Sequence, residues 1–361
     1  MKVALVHDWL TGMRGGEKCL EVFCELFPDA TLFTLLHKKG ALSPTIEHMN
    51  IKTSFIQRLP LAVTSYRNYL PLFPRAIESF DLSGFDFVLS SSHCVAKGVR
   101  VPQGAVHICF CHTPMRYAWL FFQDYFGAMN PLKKALIFRV INRLKAWDQR
   151  TNESVDFFIA TSDNVKKRIK DFYGRNSDII NPPVDTDVFS IGGHEEDYYL
   201  MVSALVPYKR VDLAIQAFND SGRKLIIIGT GNVQQTLRRM AKDNITFLGW
   251  VDDAGIRQHY QRCRALIFPG EEDFGIVPLE AQACGKPVIA YGRGGALETI
   301  TKRTGVFFYE QTPQALNDAL KHFEANAGNF KPDEIRNHAL RFSRVSFKEK
   351  IKQYIISKVP C

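Results

Sequence analysis

Apolar runs that end abruptly in polar or glycine-containing turns recur along the chain, and most lead into a segment whose apolar residues have helical spacing. KVALVHDW reads as a buried parallel strand, Lys2 to His7, followed by the turn TGMRGGEK and the periodic helix CLEVFCELF. ATLFTLL, FDFVLSSSH, AVHICFCH and VDFFIATS repeat the strand signal. PLKKALIFRVINRLKAWDQR, Pro131 to Arg150, reads as a long helix, and NVKKRIKDFYG as another, capped by Ser162 or Asp163. Between Asn50 and Leu82 the chain is rich in Leu, Phe, Tyr, Pro and Arg. That segment is read first as core-packing helices and second as a partly exposed apolar and basic surface.

DIINPPVDTDVFS breaks the rhythm with two prolines, and a junction is placed near 181–195. Beyond it the strands YYLMVSALV, KLIIIGTGN, NITFLGWV, ALIF and PVIA alternate with the helices PYKRVDLAIQAF, DAGIRQHYQRC and IVPLEAQAC. The chain closes on FKEKIKQYIIS, also a helix. Strands alternating with helices on both sides of a proline-containing junction predict an α/β protein of two Rossmann-like, doubly wound domains facing across a cleft. Their expected bounds are 1–185 and 190–345, with a final helix at about 346–361.

Length and composition are those of an ordinary two-domain globular protein: 361 residues, 46% hydrophobic and 23% charged. No apolar run reaches the ~20 residues of a membrane span. The N-terminus reads as a strand and not as a signal peptide, so a cytoplasmic location is expected. The eight cysteines, Cys19, Cys24, Cys94, Cys109, Cys111, Cys263, Cys284 and Cys361, form no C-x-x-C pair. Buried reduced thiols are expected in place of zinc or disulfides. The net charge of +9 is uneven: residues 1–180 hold 23 basic against 16 acidic side chains, the remainder 23 against 21. An anionic partner for the first half follows. Nucleic acid is not favoured, for no helix-turn-helix, zinc-finger or RNP pattern is present. A membrane surface or a diphosphate-linked lipid fits. The helix with Lys133, Lys134, Arg139, Arg143, Lys145 and Arg150 offers a basic face for peripheral contact with an anionic membrane, or simply a solvated face.

Candidate chemistry concentrates in ALIFPGEEDFGIVPLEAQACGKPVIA, Ala265 to Ala290, a strand–loop–helix–strand unit. Pro278 falls in the first helical turn, where a missing N–H costs nothing. Backbone N–H groups near Gly275 and Ile276 would attract phosphate. Glu272 lies on the loop and Glu280 on the helix. Two carboxylates beside an anion site suit a ligand that carries hydroxyls as well as phosphate, as a sugar nucleotide does; the plain alternative is acidic residues favoured by the helix dipole. Elsewhere, Gly15 and Gly16 precede a helix N-terminus. His112 ends a strand where open parallel sheets bind ligands. Ser90, Ser91, Ser92 and His93 invite a hydrolase reading, but no G-x-S-x-G elbow is present, and the serines are read as loop and cap residues. Lys209 and Arg210 open a helix, where cations oppose the dipole and imply an anionic ligand. Gly229 and Gly231 give a G-x-G whose third glycine position is Gln234, weak as a dinucleotide signal. Asp185-Thr186-Asp187 imitates a metal motif, but it sits in the linker and no metal role is assigned.

The string E-D-F-G-I-V-P-L-E resembles the E-x7-E motif of retaining glycosyltransferases of family 4, which have the GT-B fold. C-H-T-P-M-R-Y-A-W and V-P-Y-K-R-V-D are similar to strings in mannosyltransferases of O-antigen and exopolysaccharide assembly. The resemblance covers nearly the whole chain and is most specific in the second half. It implies an N-terminal acceptor-binding domain, a C-terminal nucleotide-sugar-binding domain and a last helix that crosses back to the first. By matched position it implies that Glu280 binds ribose hydroxyls, Glu272 donor-sugar hydroxyls and Lys209 the leaving diphosphate. It places Gly15, Gly16, Gly229, Phe274, Gly275 and Ile276 around phosphate and sugar, the nucleobase at Val251 and the sugar against His112. The family usually has an arginine where this chain has Ala204, so a phosphate partner is missing or Arg210 supplies it. The resemblance implies no cofactor and no metal, a GDP-mannose donor and a lipid-linked saccharide acceptor. A UDP-N-acetylglucosamine 2-epimerase-like isomerase and a non-catalytic sugar-nucleotide-binding protein are the alternatives, the latter on the strength of Ala204.

Overall fold

The computed structural model describes residues 1–120 and 130–359, with the side chains of 131–133 excepted. Cys361 and the side chain of Lys133, both named above, lie outside that set. Residues 1–182 and 347–361 form one unit, residues 183–346 a second.

In the first unit seven strands, β1 (Val3–His7), β2 (Thr31–Thr34), β3 (Asn50–Thr53), β4 (Phe87–Ser92), β5 (Val106–Cys111), β6 (Phe157–Ala160) and β7 (Ser177–Ile179), make one sheet in the order β3-β2-β1-β4-β5-β6-β7. All pairings are parallel. The central strands are buried on both faces, which is why they read as unbroken apolar runs. Alternate residues serve opposite layers. Leu5, Leu89 and Ile108 pack with Leu20 and Phe23 of the helix Gly15–Leu26. Ala4, Val6 and Val88 pack with Phe73, Ile77 and Trp147. The closing helix, Arg344–Lys358, returns to this unit and lays Phe347, Ile351 and Ile355 on the first layer. Phe347 meets Phe23 and Phe110 at ring-centroid distances of 5.9 and 5.6 Å.

In the second unit six strands, β8 (Tyr199–Val202), β9 (Leu225–Ile228), β10 (Ile245–Gly249), β11 (Leu266–Phe268), β12 (Val288–Tyr291) and β13 (Gly305–Phe308), run parallel in the order β10-β9-β8-β11-β12-β13. Both units are thus doubly wound. Each sheet reverses its winding direction once, between β1 and β4 in the first and between β8 and β11 in the second. Chain leaving two such neighbouring strands diverges to opposite faces, and the crevice left at their carboxyl ends is where open α/β sheets bind ligands.

The structure departs from the sequence reading at several places. Ser90, Ser91 and Ser92 are not loop or cap residues; they are the last three residues of β4, fully or nearly fully buried. Gly15 and Gly16 do not precede the helix; they are its first two residues, and neither has positive φ. The segment from Asn50 opens with the edge strand β3 before its short helices, which bury Ile56, Tyr66, Phe73 and Ile77 and expose Leu61 and Leu72. The seven described cysteines are free and buried. Among the described residues no helix is long and apolar enough to cross a membrane.

Candidate active site

Both crevices are furnished with polar side chains, of different kinds. In the second unit, chain leaving β8 runs through Leu205 into the tight turn Pro207–Lys209, and chain leaving β11 forms the loop Pro269–Gly275. These are the two neighbours at the point of reversal. Lys209 Nζ makes an ion pair with Glu272 Oε1 across the gap. Their side chains are only 18% and 11% exposed, so both charges are largely withdrawn from water. Such a pair pays a desolvation cost that its mutual attraction rarely exceeds, which is weak grounds for a purely structural role.

The loop carrying Glu272 is held by its neighbour. Gly295 N donates to Glu272 O at 2.8 Å, and Glu272 forms a bridge with Gly294. A Cβ on Gly295 would lie 2.2 Å from Phe274 Cα, so only glycine lets the two backbones approach this closely. Phe274 itself is buried against Phe342. Gly275, with φ of +104°, ends the loop as the residue before the helix Ile276–Ala283. The N–H groups of Ile276 and Val277 stand at a helix N-terminus. Glu280, on the same helix, is 9% exposed and accepts a hydrogen bond from Tyr260 Oη at 3.1 Å. Burial and the adjacent Glu280 carboxylate push the Tyr260 phenol well up, so it stays a donor. The far end of the helix is tied down by Arg336, which donates to Ala283 O at 2.5 Å and to Phe189 O at 2.7 Å.

Two residues expected to face a ligand are otherwise engaged. Arg210 has a left-handed backbone, φ +53°, and its guanidinium pairs with Asp212 at 3.2 Å and donates to Gln311 Oε1 at 3.3 Å. That places its charge along its own helix in this structure. Gly229 serves backbone packing: a Cβ there would lie 1.9 Å from Ser203 O, so its glycine lets the β8 loop, with Ala204, cross over β9. Val251 is half-buried just beyond β10, before the helix that Asp252 caps by accepting from Gly255 N. Asp185 of the D-x-D lookalike faces Arg344 at 3.8 Å.

In the first unit the crevice between the ends of β1 and β4 holds His7, Asp8, Ser91 and His93, with Glu17 from the first helix and His112 just past β5. Sequence reading assigned His112 to the site, named Ser91 and His93 only as a hydrolase lookalike that it set aside, and missed His7, Asp8 and Glu17. The available signal was the polar pairs His7-Asp8 and Ser92-His93 closing apolar strands.

Ser91 Oγ lies 2.8 Å from His112 Nε2 and 3.1 Å from His7 Nδ1. Glu17 Oε1 lies 3.9 Å from His7 Nε2. Burial alone would raise the Glu17 carboxyl, but hydrogen bonding and charge from His7 bring it below its ordinary value. A carboxylate on that side favours the proton on His7 Nε2. In the neutral ring Nδ1 then accepts from Ser91, and Ser91 in turn accepts from His112 Nε2–H. Burial, with His93 and His7 nearby, holds His112 well below the ordinary imidazole value. It is therefore neutral, with its Nδ1 lone pair available. Gly16 lies against this pair: a Cβ there would stand 3.6 Å from His112 Nε2.

Asp8 is fully buried and accepts four backbone N–H groups, from His93, Cys94, Val95 and Ala96, at 2.6–3.0 Å. His93 Nδ1 stands 3.0 Å from the same carboxylate. Burial would raise its pKa, but His93 and His7, with these donors, hold Asp8 well below the usual carboxylate range.

The sequence model of the family described as glycosyl transferases group 1 matches residues 185–341. The chain is 38% identical over 134 residues to a GDP-mannose-dependent monoacylated alpha-(1-6)-phosphatidylinositol monomannoside mannosyltransferase of Corynebacterium glutamicum, a match covering 33% of this chain and 35% of that protein. It is 26% identical over 212 residues to the O-antigen chain mannosyltransferase RfbU of Salmonella typhimurium, covering 55% of this chain and 58% of that one. The chain thus spans between about a third and three fifths of these curated relatives. Among solved structures, Anabaena HepE in complex with UDP superposes with a TM-score of 0.68 at 17% identity, covering 99% of this chain and 100% of that one. Sucrose-phosphate synthase of Thermosynechococcus elongatus gives 0.75 at 16%, covering 99% of each chain. At such identities these superpositions speak for the fold alone, and the fold is GT-B. The acidic residues Glu272 and Glu280 and Lys209 sit at the switch point of the segment that this family's model matches, residues 185–341.

Proposed function

We propose that this chain is a retaining glycosyltransferase that moves mannose from GDP-mannose to a lipid-linked saccharide. The observation that carries the reading is the Lys209–Glu272 pair, little exposed to water and braced by glycine at the reversal point of a parallel sheet. Lys209 meets the charge that develops on the leaving diphosphate, together with N–H groups at Gly275 and Ile276. Glu272, released from the lysine as the diphosphate takes its place, accepts from hydroxyls of the sugar. Glu280, already hydrogen-bonded by Tyr260, accepts from ribose hydroxyls. Val251 lies beside the base. In the first unit His112, neutral and oriented through Ser91, accepts from a sugar hydroxyl close to Gly15 and Gly16.

The mannose assignment is supported by the C-H-T-P-M-R-Y-A-W and V-P-Y-K-R-V-D strings and by the GDP-mannose dependence in the name of the C. glutamicum relative. A lipid-linked acceptor places the enzyme at the cytoplasmic face of a membrane. The helix Pro131–Arg150, which exposes Leu136, Phe138, Arg139 and Arg143, is the surface for that contact. Heat stabilisation across a panel of sugar nucleotides tests the donor, with GDP-mannose expected to raise the midpoint most. Stabilisation by UDP-glucose or UDP-N-acetylglucosamine and not by GDP-mannose overturns the sugar. Flotation with anionic vesicles tests the membrane contact.

A further inference from the structure

We propose that residues 55–75 of the first unit form a second membrane-docking element, which sets Leu61 into the surface of an anionic bilayer beside the helix Pro131–Arg150. This rests on the membrane contact proposed above and extends it to a segment that the transferase reading leaves without a role.

Between Glu47 and Glu78 the chain has four basic residues, Lys52, Arg58, Arg67 and Arg75, and no acidic one. All four are exposed. Among the described residues, Arg58, Arg67 and Arg75 form no ion pair, and Arg67 rests on the Tyr66 ring at 4.8 Å. Phe55, Leu61 and Leu72 are exposed beside them. The inward side of the same segment already supplies the core, burying Ile56, Ala62, Tyr66, Phe73 and Ile77 in one cluster with Trp9. The outward apolar residues are therefore surplus to folding.

Leu61 departs furthest from what folding alone requires. It is 73% exposed, and its backbone is left-handed, φ +53°. That conformation crowds a Cβ and is adopted at far lower cost by glycine or asparagine. A leucine there bears strain and gains no burial in return, which points to a task outside the fold. It ends the tip Leu59-Pro60-Leu61, between the short helices Phe55–Arg58 and Ala62–Ser65.

The helix Pro131–Arg150 packs on the same cluster through Ile141, Leu144 and Trp147, and Trp147 Nε1 donates to Glu78 Oε1 at 2.5 Å. Both elements thus cover one face of the first sheet and turn their outer residues away from it. Leu136, Phe138, Arg139 and Arg143 of the helix repeat the composition of the segment. Apolar side chains set among cations suit hydrocarbon lying beneath a layer of negative charge. A second copy of the chain does not suit, since a two-fold contact would set this basic face against itself. Nucleic acid does not suit either, because an exposed leucine offers nothing to a phosphate backbone.

Sedimentation with vesicles of phosphatidylcholine and phosphatidylglycerol tests this, with phosphatidylcholine alone as the control. The wild-type chain should bind the mixed vesicles and come off at high salt. R67Q/R75Q should lower the partition coefficient about 25-fold, at about fivefold for each cation. L61G should lower it about tenfold. Its thermal midpoint should stay level or rise, because glycine takes a φ of +53° without strain. A wild-type partition coefficient for either variant overturns the proposal, as does a lower midpoint for L61G, which would make Leu61 structural. If L136S/F138S alone releases the vesicles, the helix is the whole contact and residues 55–75 have no part in it. If the wild-type chain ignores anionic vesicles, both membrane elements fall. Heat stabilisation by GDP-mannose reports the transferase reading separately.

Discussion

At the reversal point of the first sheet, the carboxylates of Asp8 and Glu17 are turned into the interior and hold imidazoles in fixed tautomers. At that of the second, Lys209 and Glu272 bring opposite charges together beside a helix N-terminus. The first arrangement presents the lone pair of His112, held neutral by burial; the second presents charges that a ligand can separate. The two crevices therefore suit ligands of different chemistry: a hydroxyl that donates to a lone pair in the first, a phosphate that meets charge in the second. The difference also divides the energetics. Buried carboxylates with many donors stabilise the unit that contains them, whereas a largely dehydrated ion pair contributes little net stability.

The comparison breaks first at Asp8. Removing it in D8A leaves four backbone N–H groups and His93 Nδ1 unpaired in the interior, and should cost the first unit on the order of 3–5 kcal/mol. Trp9, Trp119 and Trp147 lie in that unit and Trp250, largely exposed, in the other, so the urea transition followed by tryptophan fluorescence, with Trp250 replaced by phenylalanine, reports it. An unchanged midpoint would show that the carboxylate is not structural.

In the second unit the outcome should be reversed. K209M should lower turnover about 10²–10³-fold, in line with loss of a transition-state charge partner. K209M/E272L, which removes both charges, should keep or raise the thermal midpoint while remaining inactive. A large fall in the midpoint of the double variant would make the pair a structural element and remove the contrast.

Acid sharpens the contrast. His107 is buried, accepting from Ser90 at 2.8 Å and donating to Ser154 O at 2.8 Å, and burial lowers its pKa from 6.5 to about 4. His112 is lowered in the same direction. Between these values the unfolded chain binds the protons that the folded one refuses. Stability should therefore be full above pH 6.5 and fall as pH drops toward 4, by up to about 1.4 kcal/mol per pH unit for each group. Asp8 and Glu17, depressed carboxylates, contribute their loss only at still lower pH. Denaturant midpoints of the first unit across this range check the sign.

Most strands that sequence revealed, such as β1, β4, β5 and β12, are buried on both faces. Three it did not mark, β3 (Asn50–Thr53), β7 (Ser177–Ile179) and β13 (Gly305–Phe308), all lie at sheet edges. β3 and β7 are short and meet water, so they lack the continuous apolar run, whereas β13 is apolar and buried and was passed over although its signal was present. The second site was legible because Glu272, the helix start and Glu280 fall in one contiguous stretch, and Lys209 opens a helix where a cation is out of place. The first was not, because His7, Ser91 and His112 come together only when β1, β4 and β5 pair. Polar residues closing a strand look like caps until the neighbouring strand is known. At Arg210 a helix start also predicts an anion partner, and the structure supplies Asp212 in the same turn.

The smallest effect concerns Ser91, and it separates the two roles that the first site combines. S91A removes one hydroxyl placed between His7 and His112, at the cost of a neutral hydrogen bond, so kcat/KM should fall only about two- to tenfold. What makes the variant informative is its coupling. If Ser91 acts by fixing the His112 tautomer, its loss should cost nothing further once His112 is alanine, and the double variant should match H112A alone. If instead Ser91 merely supports the end of β4, the two losses should add, because weakening the strand harms every residue on it. Additive losses would leave His112 unassisted by Ser91.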